Sequence, residues 1–248
     1  IVQALSDLAA MAAKPTAILC SLAWPQKYNP SMTSVFKGIE AACLEYNCPL
    51  VGGDISKSND LLYMDITVVG TTAQPFRKKG AQPGDLLAIS GPLGGAAAGL
   101  QCLKEHLDYP ELISLFKRPR AQIELAMKLS NQNCVTSLTD ISDGLSRSLI
   151  DIATHSNCGF EFDLEKIPYN QELKSFIKNK SLSLENFLLY GGEDYQLLMT
   201  LNAETPKEIL QDLGLCAIGY GTKAQKIIYN WAKEKLVLDD CSWDHFDL

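Results

Sequence analysis

The sequence has no C-x-x-C pair among its eight cysteines, no uncharged apolar run near the roughly 20 residues that span a bilayer, and no basic excess. Each absence removes a class of protein. Cys20, Cys43, Cys48, Cys102, Cys134, Cys158, Cys216 and Cys241 follow neither zinc-ligand nor disulfide-framework spacing. Most of them sit in apolar stretches, where a reduced cysteine behaves as a small core residue. The missing apolar run excludes a spanning helix. With 22 Lys and Arg against 29 Asp and Glu, the formal charge is −7, which argues against a general nucleic-acid binder and favours a protein that recruits cations. No basic n-region precedes an apolar h-region, so no secretory signal is expected and the cytoplasm is the default location. His106, His155 and His245 are scattered, and no G-x-S-x-G elbow or Cys–His signature is present, which leaves covalent catalysis without a candidate.

What remains is an ordinary globular composition, 46% hydrophobic and 21% charged, over 248 residues, enough for one large domain or two modest ones. Periodicity predicts helices over residues 5–13, with Ser6 as N-cap, and over 34–46. A short strand at 49–51 leads into Gly52-Gly53-Asp54, and an alternating, β-branched strand follows at 63–70. The polar, basic joint at 74–80, followed by Pro83-Gly84-Asp85, reads as a boundary, dividing the chain into lobes of residues 1–76 and 77–248. Beyond it, strands are expected at 86–90, 135–138, 159–164, 195–201, 216–220 and 226–230. Helices are expected from the glycine turn at 91–95 to His106, and over 120–131, 145–154 and 205–213. The expected fold is a mixed α/β (α+β) chain in two lobes.

The most informative segment is Thr139-Asp140-Ile141-Ser142-Asp143-Gly144, where a strand ends and a helix begins. Carboxylates three apart at such a junction can face one point, and hard oxygens grouped there suit Mg²⁺. An Asp N-cap beside a surface Asp is the plainer alternative. Gly52-Gly53-Asp54 presents a carboxylate at a strand tip with glycines that allow close ligand approach, or simply an Asx turn. Gly91-Pro92-Leu93-Gly94-Gly95 lacks the lysine and hydroxyl of a Walker A loop, so tight packing is the preferred reading. Tyr190-Gly191-Gly192-Glu193-Asp194-Tyr195 places two acids before a strand, either an acid–base pair or a solvated turn. Two carboxylates about 6 Å apart at an effective dielectric near 20 repel by about 3 kcal/mol. Convergence of these acids would therefore call for divalent cations, and a magnesium–polyphosphate would be the natural ligand.

Taken in order, these pieces resemble the thiamine-monophosphate kinase family, within the superfamily that includes aminoimidazole ribonucleotide synthetase, selenophosphate synthetase and a hydrogenase maturation factor. The resemblance runs through Ser6-Asp7-Leu8-Ala9-Ala10-Met11, Gly52-Gly53-Asp54, the Gly80-to-Asp85 joint, Ser90-to-Gly94, Asp140-to-Leu145, Gly191-to-Tyr195 and Ser242-Trp243-Asp244-His245-Phe246. It implies ATP-dependent phosphorylation of thiamine monophosphate to thiamine diphosphate by direct in-line transfer, in a cytoplasmic homodimer formed through a sheet of the N-terminal lobe. It also implies that Asp7, Asp54, Asp140 and Asp143 hold several Mg²⁺ ions. Phe36, Gly53, Asp54, Ser142 and the basic pair Arg77 and Lys78 would contact ATP, while Glu193, Trp243 and Phe246 would hold the thiamine moiety.

Three departures from the family pattern stand out. An early G-D-D-A segment with further metal ligands is absent. Lys78 stands where an arginine contacts nucleotide, keeping the charge without the bidentate fork. Gly95 stands where aspartate is frequent. The alternatives carried beside the kinase are another ATP-using member of the superfamily, or an inactive fragment that binds thiamine phosphates.

Overall fold

The computed structural model describes residues 1–238. From the N-terminus, α1 (Val2–Ala10) leads into β1 (Lys14–Pro25), a 3-10 turn (Gln26–Ser31), α2 (Met32–Glu45), β2 (Leu50–Ser58) and β3 (Tyr63–Thr71). After the joint come β4 (Leu86–Ile89), α3 (Gly95–Lys104), α4 (Pro110–Lys117), α5 (Ile123–Ser130), β5 (Val135–Ile141), α6 (Leu145–Ser156) and β6 (Gly159–Asp163). The described chain finishes with α7 (Gln171–Lys180), α8 (Leu184–Tyr190), β7 (Gln196–Leu201), α9 (Lys207–Asp212), β8 (Cys216–Thr222), β9 (Ile227–Trp231) and β10 (Glu234–Val237). No described helix is long and apolar enough to cross a membrane.

The strands form two sheets. In the first, β1 lies between a parallel β2 and an antiparallel β3. Alternate residues of β1 (Ile18, Cys20, Leu22 and Trp24) are buried. Ile39 of α2 joins Cys20, Leu22 and Trp24 in one cluster, flanked by Val35, Phe36 and Cys43 at the three-to-four spacing of one helical face. The second sheet runs β10-β9-β6-β8-β4-β7-β5 and is antiparallel except where β6 meets β9. One core cluster joins Phe160, Phe162, Leu198 and Ile218 to Leu145, Leu149 and Ile152 of α6. Another joins Ala88, Leu138, Leu197, Met199 and Leu201 to Ala126 and Leu129 of α5.

The same second cluster includes Ala9 and Ala12. Helix α1 therefore precedes the first sheet in sequence and packs against the second. This crossing is what carries Asp7 to β5. The joint is stitched down as well: the Leu138 amide donates to the Arg77 carbonyl at 2.9 Å, and the buried Asp85 carboxylate accepts from the Gln82 amide at 2.9 Å and Thr136 Oγ1 at 2.6 Å.

Two local expectations are corrected. Ser6 is not an N-cap. The helix begins earlier, at Val2, and Ser6 is fully buried on the face that also buries Leu5 and Ala9. Gly52-Gly53-Asp54 is not a strand tip either, because β2 runs through it to Ser58. Gly53 lies so close to β1 that a Cβ there would stand 1.9 Å from the Cys20 carbonyl oxygen, so the glycine serves strand approach. All seven described cysteines are free and five of them are buried; Cys241 lies outside the described residues.

Candidate active site

The site forms where α1, the end of β5 and the turn before β7 meet. Ser6 Oγ donates to Asp140 Oδ2 at 2.7 Å, and Ser148 Oγ of α6 donates to the Asp140 carbonyl at 2.8 Å. Asp7, one residue along α1, is solvent-exposed on its outer side. Desolvation on its protein side nevertheless raises its carboxyl above the ordinary range; Asp140 raises it further, and Lys78 pulls it back. Lys78 is held there by α6, its Nζ lying 2.6 Å from Asp151 Oδ2, and Arg147 Nε reaches the other oxygen of that carboxylate at 3.4 Å.

The turn 191–195 is bolted onto the turn 141–144. The Glu193 amide donates to the Ser142 carbonyl at 2.7 Å, and the Tyr195 amide to the Ile141 carbonyl at 3.0 Å. Gly192 permits this approach, since a Cβ on it would stand 2.7 Å from the Ser142 carbonyl oxygen. Glu193 and Tyr195 both have left-handed backbones, with φ of 69° and 48°, a conformation costing about 1–3 kcal/mol per non-glycine residue and concentrated at functional sites. Between them, Asp194 is engaged by α3: its carboxylate accepts from the Gly94 amide at 2.6 Å and the Ala96 amide at 3.2 Å, at the helix N-terminus. Burial pushes its carboxyl up to about 7 against the pull of these amides. The two adjacent acids thus have separate tasks and do not form an acid–base pair.

Glu193 is the one turned toward the site. Its Oε2 accepts from Tyr195 Oη at 3.0 Å and from Gln3 Nε2 at 3.2 Å. Burial holds the Tyr195 phenol above its usual range, reinforced by the charges of Glu193 and Asp140. Glu193 lines two clefts of about 520 Å³ each. One is mixed, with Leu93 and Leu115 beside Arg118, Arg120 and Gln196; the other is mostly apolar, with Ile39, Met64 and Phe116.

The candidate residues divide accordingly. Asp7, Asp140 and Lys78 are brought together, and Ser142 and Glu193 are joined through the two turns. Asp143 is exposed at the start of α6, beside Gly192. Asp54 is exposed in mid-strand on β2, where Ser56 Oγ donates to it at 2.8 Å. Phe36 packs beneath the first sheet, and Arg77 is fixed by its backbone carbonyl with an exposed side chain. Trp243 and Phe246 lie outside the described residues.

No group of three or more Asp, Glu, His or Cys side chains able to hold a metal ion forms among the described residues. The continuation of β2 leaves the Asp54 carboxylate on a sheet rather than at a tip. A carboxylate pair still fits Mg²⁺, which takes one or two carboxylates and completes its shell with water and phosphate oxygens. Sequence reasoning gave no role to Gln3, Tyr195 or Asp151, and misplaced Ser6. A serine on the otherwise apolar Leu5–Ala9 stripe was the signal available for Ser6.

Comparison with known proteins places the chain in a family. The model of the AIR synthase related protein N-terminal domain matches residues 1–72, and that of the C-terminal domain matches residues 82–231. The thiamine-monophosphate kinase of Aquifex aeolicus is 33% identical over 248 residues, covering 97% of this chain and 78% of the relative. That of Rhodopirellula baltica is 33% identical over 201 residues, covering 81% of this chain, which spans only 59% of that relative's length. A solved structure described as AaThiL complexed with AMPPCP and TMP superposes with a TM-score of 0.87 at 31% identity, covering 98% of this chain and 77% of that one.

Proposed function

Because the chain belongs to the thiamine-monophosphate kinase family, we propose that it transfers the γ-phosphoryl group of ATP to thiamine monophosphate, forming thiamine diphosphate. The observation that carries this reading is the joining of a phosphate-side carboxylate pair, Asp7 and Asp140, to an acceptor-side carboxylate, Glu193, through one fastened pair of turns. The solved relative described as complexed with AMPPCP and TMP supports ATP and thiamine monophosphate as the two substrates.

An oxygen of the acceptor phosphate attacks the γ-phosphorus in line as the bond to the bridging β,γ-oxygen breaks and ADP leaves. A phosphate monoester has a second pKa of about 6 and is largely dianionic at pH 7, so no general base is required. Catalysis then rests on alignment and neutralisation of charge. Asp7 and Asp140 would hold Mg²⁺, which supplies the charge that lets anionic donor and acceptor approach. Lys78, anchored by Asp151, adds a fixed cation beside Asp7. Glu193, on the rim of an apolar cleft with Phe116, suits a cationic aromatic ring.

Three finer parts of the reading belong here. The outer strands of the first sheet, β2 and β3, carry exposed Val51, Ile55, Tyr63 and Val69, which supports a homodimer formed through that lobe. Free thiols fit a reducing cytoplasm. The joint around residues 74–85 divides the chain into lobes of residues 1–76 and 77–248.

Incubation with ATP, Mg²⁺ and thiamine monophosphate should yield thiamine diphosphate, read as its oxidised fluorescent derivative. Asp140→Asn should lower turnover at least about tenfold, by loss of a charge at the phosphates. Absence of product from folded wild-type protein would overturn the assignment.

A further inference from the structure

We infer that Tyr195 is a positioning residue of the acceptor site: with Gln3 it pins one oxygen of Glu193, leaving the other at a fixed place for the cationic end of thiamine monophosphate. The inference rests on the function proposed above and adds a residue to it.

Both donors converge on Oε2, at 3.0 Å from the phenol and 3.2 Å from the amide, so Oε1 is the oxygen left to a ligand. The two donors differ in firmness. Gln3 is exposed, near the start of α1, whereas Tyr195 is 3% exposed and its backbone is tied to Ile141. The phenol therefore sets the orientation and the amide adds to it. A carboxylate on a freely rotating stem would lose conformational freedom on meeting its ligand, whereas a pinned one has lost it on folding. Burial and two neighbouring carboxylates, Glu193 and Asp140, keep the phenol protonated, so it remains a donor across the neutral range. The left-handed φ of 48° at a tyrosine is the backbone distortion that places the ring there.

Tyr195→Phe removes the donor and keeps the ring. It should raise the KM for thiamine monophosphate by about tenfold, as expected for a hydrogen bond to a charged group, and leave the KM for ATP within about twofold. Because the hydroxyl acts through Glu193, the double variant Tyr195→Phe with Glu193→Gln should be no worse than Glu193→Gln alone. If Tyr195→Phe melts early, Gln3→Leu, outside the core, should show the same selective rise at about threefold. Wild-type protein that makes no thiamine diphosphate would defeat the functional reading itself. Active wild-type protein with an unchanged thiamine-monophosphate KM in both variants, with both KM values rising together, or with additive losses in the double variant, would defeat this inference alone.

Discussion

The two sheets handle their surfaces in opposite ways. In β7 the five residues from Leu197 to Leu201 are all buried, with helices supplying cover on both faces of the larger sheet. In β2 no residue is buried, and Val51 and Ile55 are 60% and 55% exposed although both are strongly apolar. A strand that obtains its burial inside the chain can be judged from the chain alone. An outer strand with exposed β-branched residues cannot be judged so, and natural edges that must stay single carry charge or proline instead.

The sharpest way to break that comparison is to cut a large apolar side chain from each sheet. Phe162→Ala removes a ring that is 1% exposed and stacked on Tyr229 at 5.8 Å, and should cost about 3–5 kcal/mol in equilibrium denaturation. Ile55→Ala, on the outer strand, should stay within about 0.5 kcal/mol for the monomer. Equal losses would erase the distinction between the sheets.

A smaller effect is expected from charge. Val51→Lys combined with Ile55→Lys should weaken self-association at least about tenfold in sedimentation velocity while the melting of the monomer is unchanged. Unaltered association would remove the homodimer reading.

A pH-dependent effect is expected from Asp194, whose carboxylate is held at the N-terminus of α3. The folded-state pKa of Asp194, about 7, lies above the ordinary carboxylate value, so folding favours the protonated form. Its stabilising contribution is complete below about pH 4 and is lost as the pH rises through about 7. Asp194→Asn keeps an oxygen for the α3 amides and removes the titration, so the decline in Tm across that window should become shallower. A slope identical to wild type would show that Asp194 does not carry it.

Legibility in the sequence followed the same division. Strand β3 alternates and was readable, and the glycine-flanked acidic turns announced themselves by composition. Strand β1 is hidden because Ala-Ile-Leu-Cys-Ser-Leu-Ala-Trp is nearly all apolar, which masks the two-residue period its fold imposes. Helix α7 lies outside the expected elements although Leu173, Phe176 and Ile177 stand at helical spacing after Asn170, whose Oδ1 accepts from the Glu172 amide at 2.6 Å. Asp140 and Glu193 stand in acidic turns that the sequence itself displays, whereas Asp7 is marked only by the family resemblance. Their spacing along the chain carries no sign of proximity, because the pairing of β5 with β7 and the crossing of α1 are long-range events. Tyr195 was visible in its motif, but its role depends on a backbone angle that no side-chain pattern encodes.

The crossing of α1 makes the two lobes mutually dependent. Severing the chain at its joint would strip the larger piece of the alanine-faced rod that seals Leu138 and Met199 from water, and would deprive the smaller piece of the scaffold on which Asp7 acquires a partner. Neither half holds both Asp7 and Asp140 by itself. The proposed catalytic centre is a property of their embrace.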